Sequence, residues 1–388
     1  MTIDRRLRSG EAPRRTMLAI WAATSLTAVL FALPGPIGYA PVDGAFALRL
    51  ATGCAALGLA MYALAIVAWR LLGREACLAS CVLFAMNPVL LTAFLPPAPM
   101  ATGAALSAIA AALWALSQRN AVRGAMGAGA ALALGFILQP LTWPIALAVA
   151  SVLFVRWLVQ HDAADAFAGL VQGFAVLAAA GLTVSWIGGW SYGAAPVGAV
   201  AALAIVLGGT SALRRMSHIT PALLGGSMLA ITGTAAAAAW LLPGCSSIGG
   251  GTAALTERET LLAPTWTLVS GLIALGAAAY LWRSNQAWLR SWWGCYALLL
   301  ATATLGILVA PALAPATALV ATVPLGWLAA QLLFGRRKAH RGRRAWRVAA
   351  LGAAGLSGGV LSAVAQADAP PLQVAALLGI TAPLSPQD

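Results

Sequence analysis

The groups that could do chemistry in this chain are few, and they sit at the edges of its apolar stretches. Ten carboxylates, Asp4, Glu11, Asp43, Glu75, Asp162, Asp165, Glu257, Glu259, Asp368 and Asp388, all fall in loops, at helix ends or in tails, and His161, His218 and His340 fall in loops as well. Proton- and ion-coupled transport keeps titratable groups inside a helical bundle, so this placement argues against it. Two groupings remain. Asp43, the carboxylate of the first outer segment, precedes Arg49 by six positions and is a candidate for a site on that account. The bland alternative is an ion pair at a membrane surface, with Arg49 snorkelling. The second grouping is Glu257, Arg258 and Glu259, after three glycines in PGCSSIGGGTAALTERETLLAPT. These are candidate substrate-binding residues. Their structural alternative is a short surface helix capped by Thr256, whose dipole favours acids in its first turn.

Sulfur offers less. Cys77 and Cys81 stand one helical turn apart with neither histidine nor carboxylate near, which fits small apolar packing residues, and no metal is expected. Cys54 and Cys295 also lie in apolar runs, and Cys245 alone falls in a predicted outer loop, so no disulfide framework follows.

The elements that must position these residues are transmembrane helices. Of 388 residues 61% are hydrophobic and 9% charged, with a mean hydropathy of +0.88. No stretch has the mixed charge of a water-facing surface, so a bilayer must solvate most side chains. About thirteen apolar runs are long enough to cross a ~30 Å hydrocarbon core. They cover Met17 to Leu33, Phe46 to Trp69, Ala76 to Leu95, Met100 to Leu116, Gly124 to Leu138, Pro144 to Leu158, Ala166 to Ile187 and Val197 to Leu213. Five more begin near Ile219, Trp266, Trp293, Pro315 and Val348. The expectation is an all-α polytopic bundle over 17–366, with a basic cytoplasmic tail 1–16 and a short periplasmic tail 367–388.

Net charge is +13, which in a soluble protein would suggest nucleic acid, but the basic residues are confined to short clusters between apolar runs. With the N-terminus inside and every run crossing, 21 of the 23 basic residues fall in inner loops, and only Arg49 and Arg258 fall outside. That is the positive-inside asymmetry, and it puts the C-terminus outside and the chain in a bacterial inner (cytoplasmic) membrane. Nucleic acid is not an expected partner, whereas membrane lipids are. The densest cluster, Arg336 to Arg347, is a topology determinant compatible with anionic headgroups. At the start, a cleaved signal peptide ending near Ala40 is the alternative to a first helix. The length of the apolar run and the stop at Pro34, Gly35 and Pro36 favour the helix.

Trp190 and Tyr192 in the outer segment Gly188 to Pro196 suit headgroup anchoring, and Gly355 and Gly359 match a small-residue packing pattern. No internal repeat with matched broken helices is visible. The interruptions at Pro96 to Pro99 and Gln139 to Pro144 fit tight outer turns.

From Ala47 the chain combines four features. Arg49 and Leu50 open helix two, Trp69 to Arg74 form an inner Trp-Arg-Leu-Leu-Gly-Arg turn, Asn87 and Pro88 make a step in helix three, and a Gly-rich fifth helix ends in a polar-proline turn. Together with Pro243-Gly244-Cys245 opening the long outer loop and Pro311 to Trp327, this pattern over about residues 17 to 350 resembles the C-type membrane glycosyltransferase superfamily, in its bacterial oligosaccharyltransferase-like branch. The branch has thirteen helices with the N-terminus inside and the C-terminus outside.

The resemblance implies transfer of a sugar from a polyprenyl-phosphate carrier outside the membrane, by an acid in the first outer loop that serves as general base or, in metal-dependent members, helps hold a divalent ion. Asp43 is the matching acid here. The chain departs from the family in three places. The first outer loop is short and lacks a paired Asp-Glu, Met100, Ala101 and Thr102 stand where bacterial relatives carry Asp-His-His, and only a short tail follows the last helix. The expectation is therefore a glycosyltransferase-like protein, active or inactive, with Asp43 as catalytic candidate and Arg49, Glu257, Arg258 and Glu259 as substrate-binding candidates, and no cofactor. The alternatives are a non-catalytic scaffold or partner subunit of another membrane protein and, third, a lipid or small-molecule carrier.

Overall fold

A computed structural model describes residues 17–18, 21–22, 44–94, 100–118, 120–139, 143–159, 163–188, 194–212, 226, 259–309 and 313–334. Among the described residues the regular structure is helical, with no strand. In a chain this apolar the backbone has no water to bond, so each segment must satisfy its own N–H and C=O groups, and its Ala and Leu content favours doing so as helix.

Eleven helices have described bounds: α1 Gly44–Leu72, α2 Arg74–Ala85, α3 Pro88–Phe94, α4 Met100–Leu116, α5 Ala121–Leu138, α6 Trp143–Val159, α7 Ala164–Gly188, α8 Ala194–Ala212, α9 Glu259–Ser284, α10 Ala287–Val309 and α11 Ala314–Phe334. Six of them (α1, α5, α7, α9, α10 and α11) contain stretches long and apolar enough to cross a membrane, and α4, α6 and α8 hold shorter apolar stretches. The chain therefore has the character of a multi-pass membrane protein. Both tails, the helix expected from Val348, all but Gly226 of the one expected from Ile219, the outer segment around Trp190 and the Gly355/Gly359 pair lie outside the described residues.

Two expected boundaries move. The run Ala76 to Leu95, expected as one helix, is two helices broken at Met86 and Asn87. The Asn87 side chain turns back as an N-cap, its Oδ1 accepting from the amides of Val89 at 3.0 Å and Leu90 at 3.3 Å. Pro88 follows at the first helical position, where its missing N–H costs nothing. The second change is at the long outer loop, expected to reach Thr265: α9 already begins at Glu259.

Between α1 and α2 the chain turns at Gly73, whose φ of +99° suits glycine alone. Its amide closes α1 on the carbonyls of Ala68 and Trp69, each at 3.1 Å.

Packing runs in chain order through part of the bundle. α1 lies against α4, α4 against α5, α5 against α7 and α7 against α8, while α9, α10 and α11 form a second group whose α11 packs on α2 and whose α10 packs on α6. Without a hydrophobic drive between helices in lipid, close approach has to come from small residues. The α5–α7 seam shows it. A Cβ on Gly169 would meet the Val122 carbonyl, one on Gly173 the Met126 carbonyl and the Ala130 amide, and one on Gly129 the Leu170 carbonyl. Gly169 and Gly173 are thus a small-xxx-small pair set against the backbone of α5, a role the more conspicuous Gly355/Gly359 pair had suggested for the last helix.

Where α6 meets α7, aromatic rings fill the gap: Trp157 stacks on Phe167 with centroids 5.6 Å apart, and Phe154 meets both edge-on.

Candidate functional site

The polar side chains inside the bundle show what the interior can do. Ser107 on α4 donates to the Ala56 carbonyl on α1 at 2.8 Å, and Thr317 on α11 donates to the Ala303 carbonyl on α10 at 3.0 Å. The Tyr296 hydroxyl on α10 donates to the Val320 carbonyl on α11 at 2.5 Å. Thr304 and Thr322 return their hydroxyls to the carbonyl one turn back in their own helices, at 2.7 and 2.9 Å. Each of these groups is spent on a backbone acceptor, which ties helices together and leaves no donor for a ligand.

Among the described residues two buried polar atoms have no hydrogen-bond partner, the Ser80 Oγ on α2 and the Trp293 Nε1 on α10. Ser80 faces Gly326 of α11, whose lack of a Cβ admits the hydroxyl. Trp293 sits in an aromatic group with Trp292 and Tyr296, its ring meeting theirs edge-on at 5.0 and 5.4 Å.

Among the described residues charge is confined to the ends of helices. Arg74, Glu75, Arg123, Asp165, Arg283 and Arg290 are exposed, and Arg70 and Arg156 are half-buried. Arg290 places its guanidinium 6.0 Å from the centre of the Trp282 ring, an exposed cation–π pair beside the turn between α9 and α10. No group of three His, Cys, Asp or Glu residues that could hold a metal ion occurs among the described residues.

Of the residues expected from the sequence to form a site, Asp43, Glu257 and Arg258 lie outside the described residues. Glu259 is the first residue of α9. Arg49 is exposed on α1, next to Leu50, with which the buried face of the helix begins. Its carbonyl accepts the Thr52 hydroxyl at 3.0 Å, which is local helix bonding and leaves the guanidinium outside the packed core.

The sequence reading missed the polar ties at Tyr296 and Thr317 and the Ser80–Gly326 contact. A proline four residues past Val320, at Pro324, was the one signal that could have found the first of them, because it removes the amide that Val320 would otherwise bond. No protein-family model, curated protein or solved structure matches the chain.

Proposed function

We propose that the chain is a glycosyltransferase-like protein of the bacterial cytoplasmic membrane that binds a polyprenyl-phosphate-linked sugar at its outer face. About thirteen helices, the N-terminus inside and the C-terminus outside, complete the topology; its support is the confinement of 21 of 23 basic residues to one side of the apolar runs. The observation that carries the proposal is Arg49. The charge count assigns it, with Arg258, to the outer side, and it is exposed near the start of α1. A carrier phosphate would lie at that depth, and a guanidinium fork is the side chain best shaped to meet it. Asp43, six residues earlier, would then be the base toward an acceptor, and Glu257 and Arg258 of the longest outer loop, with Glu259 at the start of α9, would lie over the sugar.

A second role, as a non-catalytic partner subunit, has its own support in the interior hydroxyls of Ser107, Tyr296 and Thr317, all committed to holding helices together. A bundle held by such ties and by glycine seams persists whether or not an acid is retained above it.

The two roles separate in one binding experiment. Purified protein in detergent is heated with increasing polyprenyl-phosphate sugar. A ligand at 100 times its Kd adds about 2.7 kcal/mol of stability, so a saturable rise in Tm is expected for a donor site. The rise should shrink in Arg49→Ala and return in part in Arg49→Lys. Absence of any saturable shift sinks the donor site and leaves the partner-subunit role.

A further inference from the structure

Cys77 and Cys81 acquire a third sulfur in the folded chain. The Met17 side chain, sixty positions earlier, reaches α2 and places its Sδ 4.0 Å from the Cys77 Sγ. Cys77 and Cys81 stand one turn apart on the same face of α2. All three are buried, with exposures of 2%, 0% and 1%. We propose that Met17, Cys77 and Cys81 form a binding site for a soft monovalent metal cation, copper(I) by class.

Three observations carry it. The first is geometry. With metal–sulfur bonds of about 2.3 Å, three sulfur ligands in a trigonal plane stand about 4.0 Å apart, the separation Met17 and Cys77 already have. The second is the donor set, two thiols and a thioether with no oxygen or nitrogen ligand. Thiolate and thioether select copper(I), magnesium and calcium require oxygen, and structural zinc takes four ligands.

The third is position. Cys77 lies in the first turn of α2, its amide bonded to the Gly73 carbonyl at 3.1 Å, and Arg74 and Glu75, which open the helix ahead of the buried Ala76, are exposed. The sulfurs are therefore one turn below an accessible rim, and the positive end of the α2 dipole favours the net negative charge of a bis-thiolate copper(I) centre. Binding exchanges two S–H bonds for two metal–thiolate bonds and releases two protons to solvent. The metal arrives as copper(I), so no electron is transferred.

The test uses the full chain with Cys54, Cys245 and Cys295 replaced by Ala, purified in detergent without oxygen and titrated with copper(I) supplied as its bicinchoninate complex. One copper per chain should be withdrawn from the indicator, and X-ray absorption should show a first shell of sulfur alone. Cys77→Ala and Cys81→Ala should abolish the transfer. Met17→Leu, which conserves volume and leaves the helices packed, should weaken binding at least tenfold. Failure to take copper from the indicator overturns the proposal, as does undiminished uptake by the Cys77→Ala/Cys81→Ala double variant. If the cysteine variants do not fold, Met17→Leu still decides: affinity equal to the parent's removes the third ligand and with it the site.

Discussion

The Tyr296 hydroxyl donates to the Val320 carbonyl, the acceptor that Pro324 leaves without its helical partner. In α11 residue 324 should supply the amide for Val320 four positions back, and proline has none. Inside a membrane protein such a carbonyl needs a replacement donor, and a tyrosine on the neighbouring helix provides it. The proline and the tyrosine are thus one device: the break in the α11 ladder is what makes a bond between α10 and α11.

Tyr296→Phe should therefore destabilise the protein by about 1–2 kcal/mol, the usual cost of stranding a buried acceptor. In a Pro324→Ala background the new amide reaches Val320, and the same substitution should cost less than about 0.5 kcal/mol. Unfolding by sodium dodecyl sulfate in mixed lipid–detergent micelles measures both. Equal costs in the two backgrounds would show that the bond does not depend on the proline.

The glycine seam between α5 and α7 makes a second prediction. Gly173→Ala forces a methyl onto the Met126 carbonyl and the Ala130 amide, and overpacking of this kind costs about 1–3 kcal/mol. Gly276→Ala in α9 is the control. A Cβ there meets nothing within 4 Å, so the exchange should be neutral or stabilise by up to about 1 kcal/mol through helix propensity alone. Thermal unfolding of the two variants gives the comparison, and a Gly173→Ala protein as stable as the parent would mean the seam is looser than described.

What the sequence made legible follows from what apolar spacing can encode. The helices between Met100 and Ile187 fall where their runs predict, because each is bounded by polar or proline residues that cannot continue in lipid. The run Ala76 to Leu95 misled because hydropathy is blind to an Asn-Pro step, which leaves the stretch apolar while ending one helix and capping the next. The start of α9 at Glu259 was missed because charged residues lower hydropathy there, and hydropathy was what set the expected start near Trp266. Contacts such as Met17 with Cys77 carry no sequence signal at all, since neither residue differs from ordinary packing until the chain brings them together. Of the candidate site, Arg49 alone falls within a described stretch with its side chain, exposed near the start of α1.

The helix break at Asn87 should be sensitive to the capping side chain. Asn87→Ala removes the acceptor for the Val89 and Leu90 amides and should cost about 1 kcal/mol, whereas Asn87→Ser keeps an N-cap oxygen. Hydrogen exchange at Val89 and Leu90 reads this directly: faster in the Ala variant, close to the parent in the Ser variant. If exchange at both amides is unchanged in Asn87→Ala, the cap is not what holds the start of α3.

The proposed topology makes the broadest prediction. Alkaline phosphatase folds only where its disulfides form, outside the cytoplasmic membrane, so its activity reports the side on which a fusion ends. Fusions after Asp43, Pro196, Ala254 and Asp388 should be active, and fusions after Arg123, Arg215 and Arg341 inactive. The basis is electrostatic: basic residues close to a membrane segment resist translocation, and the clusters at Arg119 and Arg123, at Arg214 and Arg215, and from Arg336 to Arg347 all fall on one side if every apolar run crosses. Because successive crossings alternate, each point checks the number of helices before it. An active fusion after Arg341 would require one crossing more or fewer between Ala254 and the densest basic cluster. It would move that cluster to the outer face against the charge rule and so overturn the C-terminal half of the topology. An active fusion after Arg123 would instead reverse the early helices, place Arg49 on the inner side, and remove the reason to set a carrier phosphate beside it.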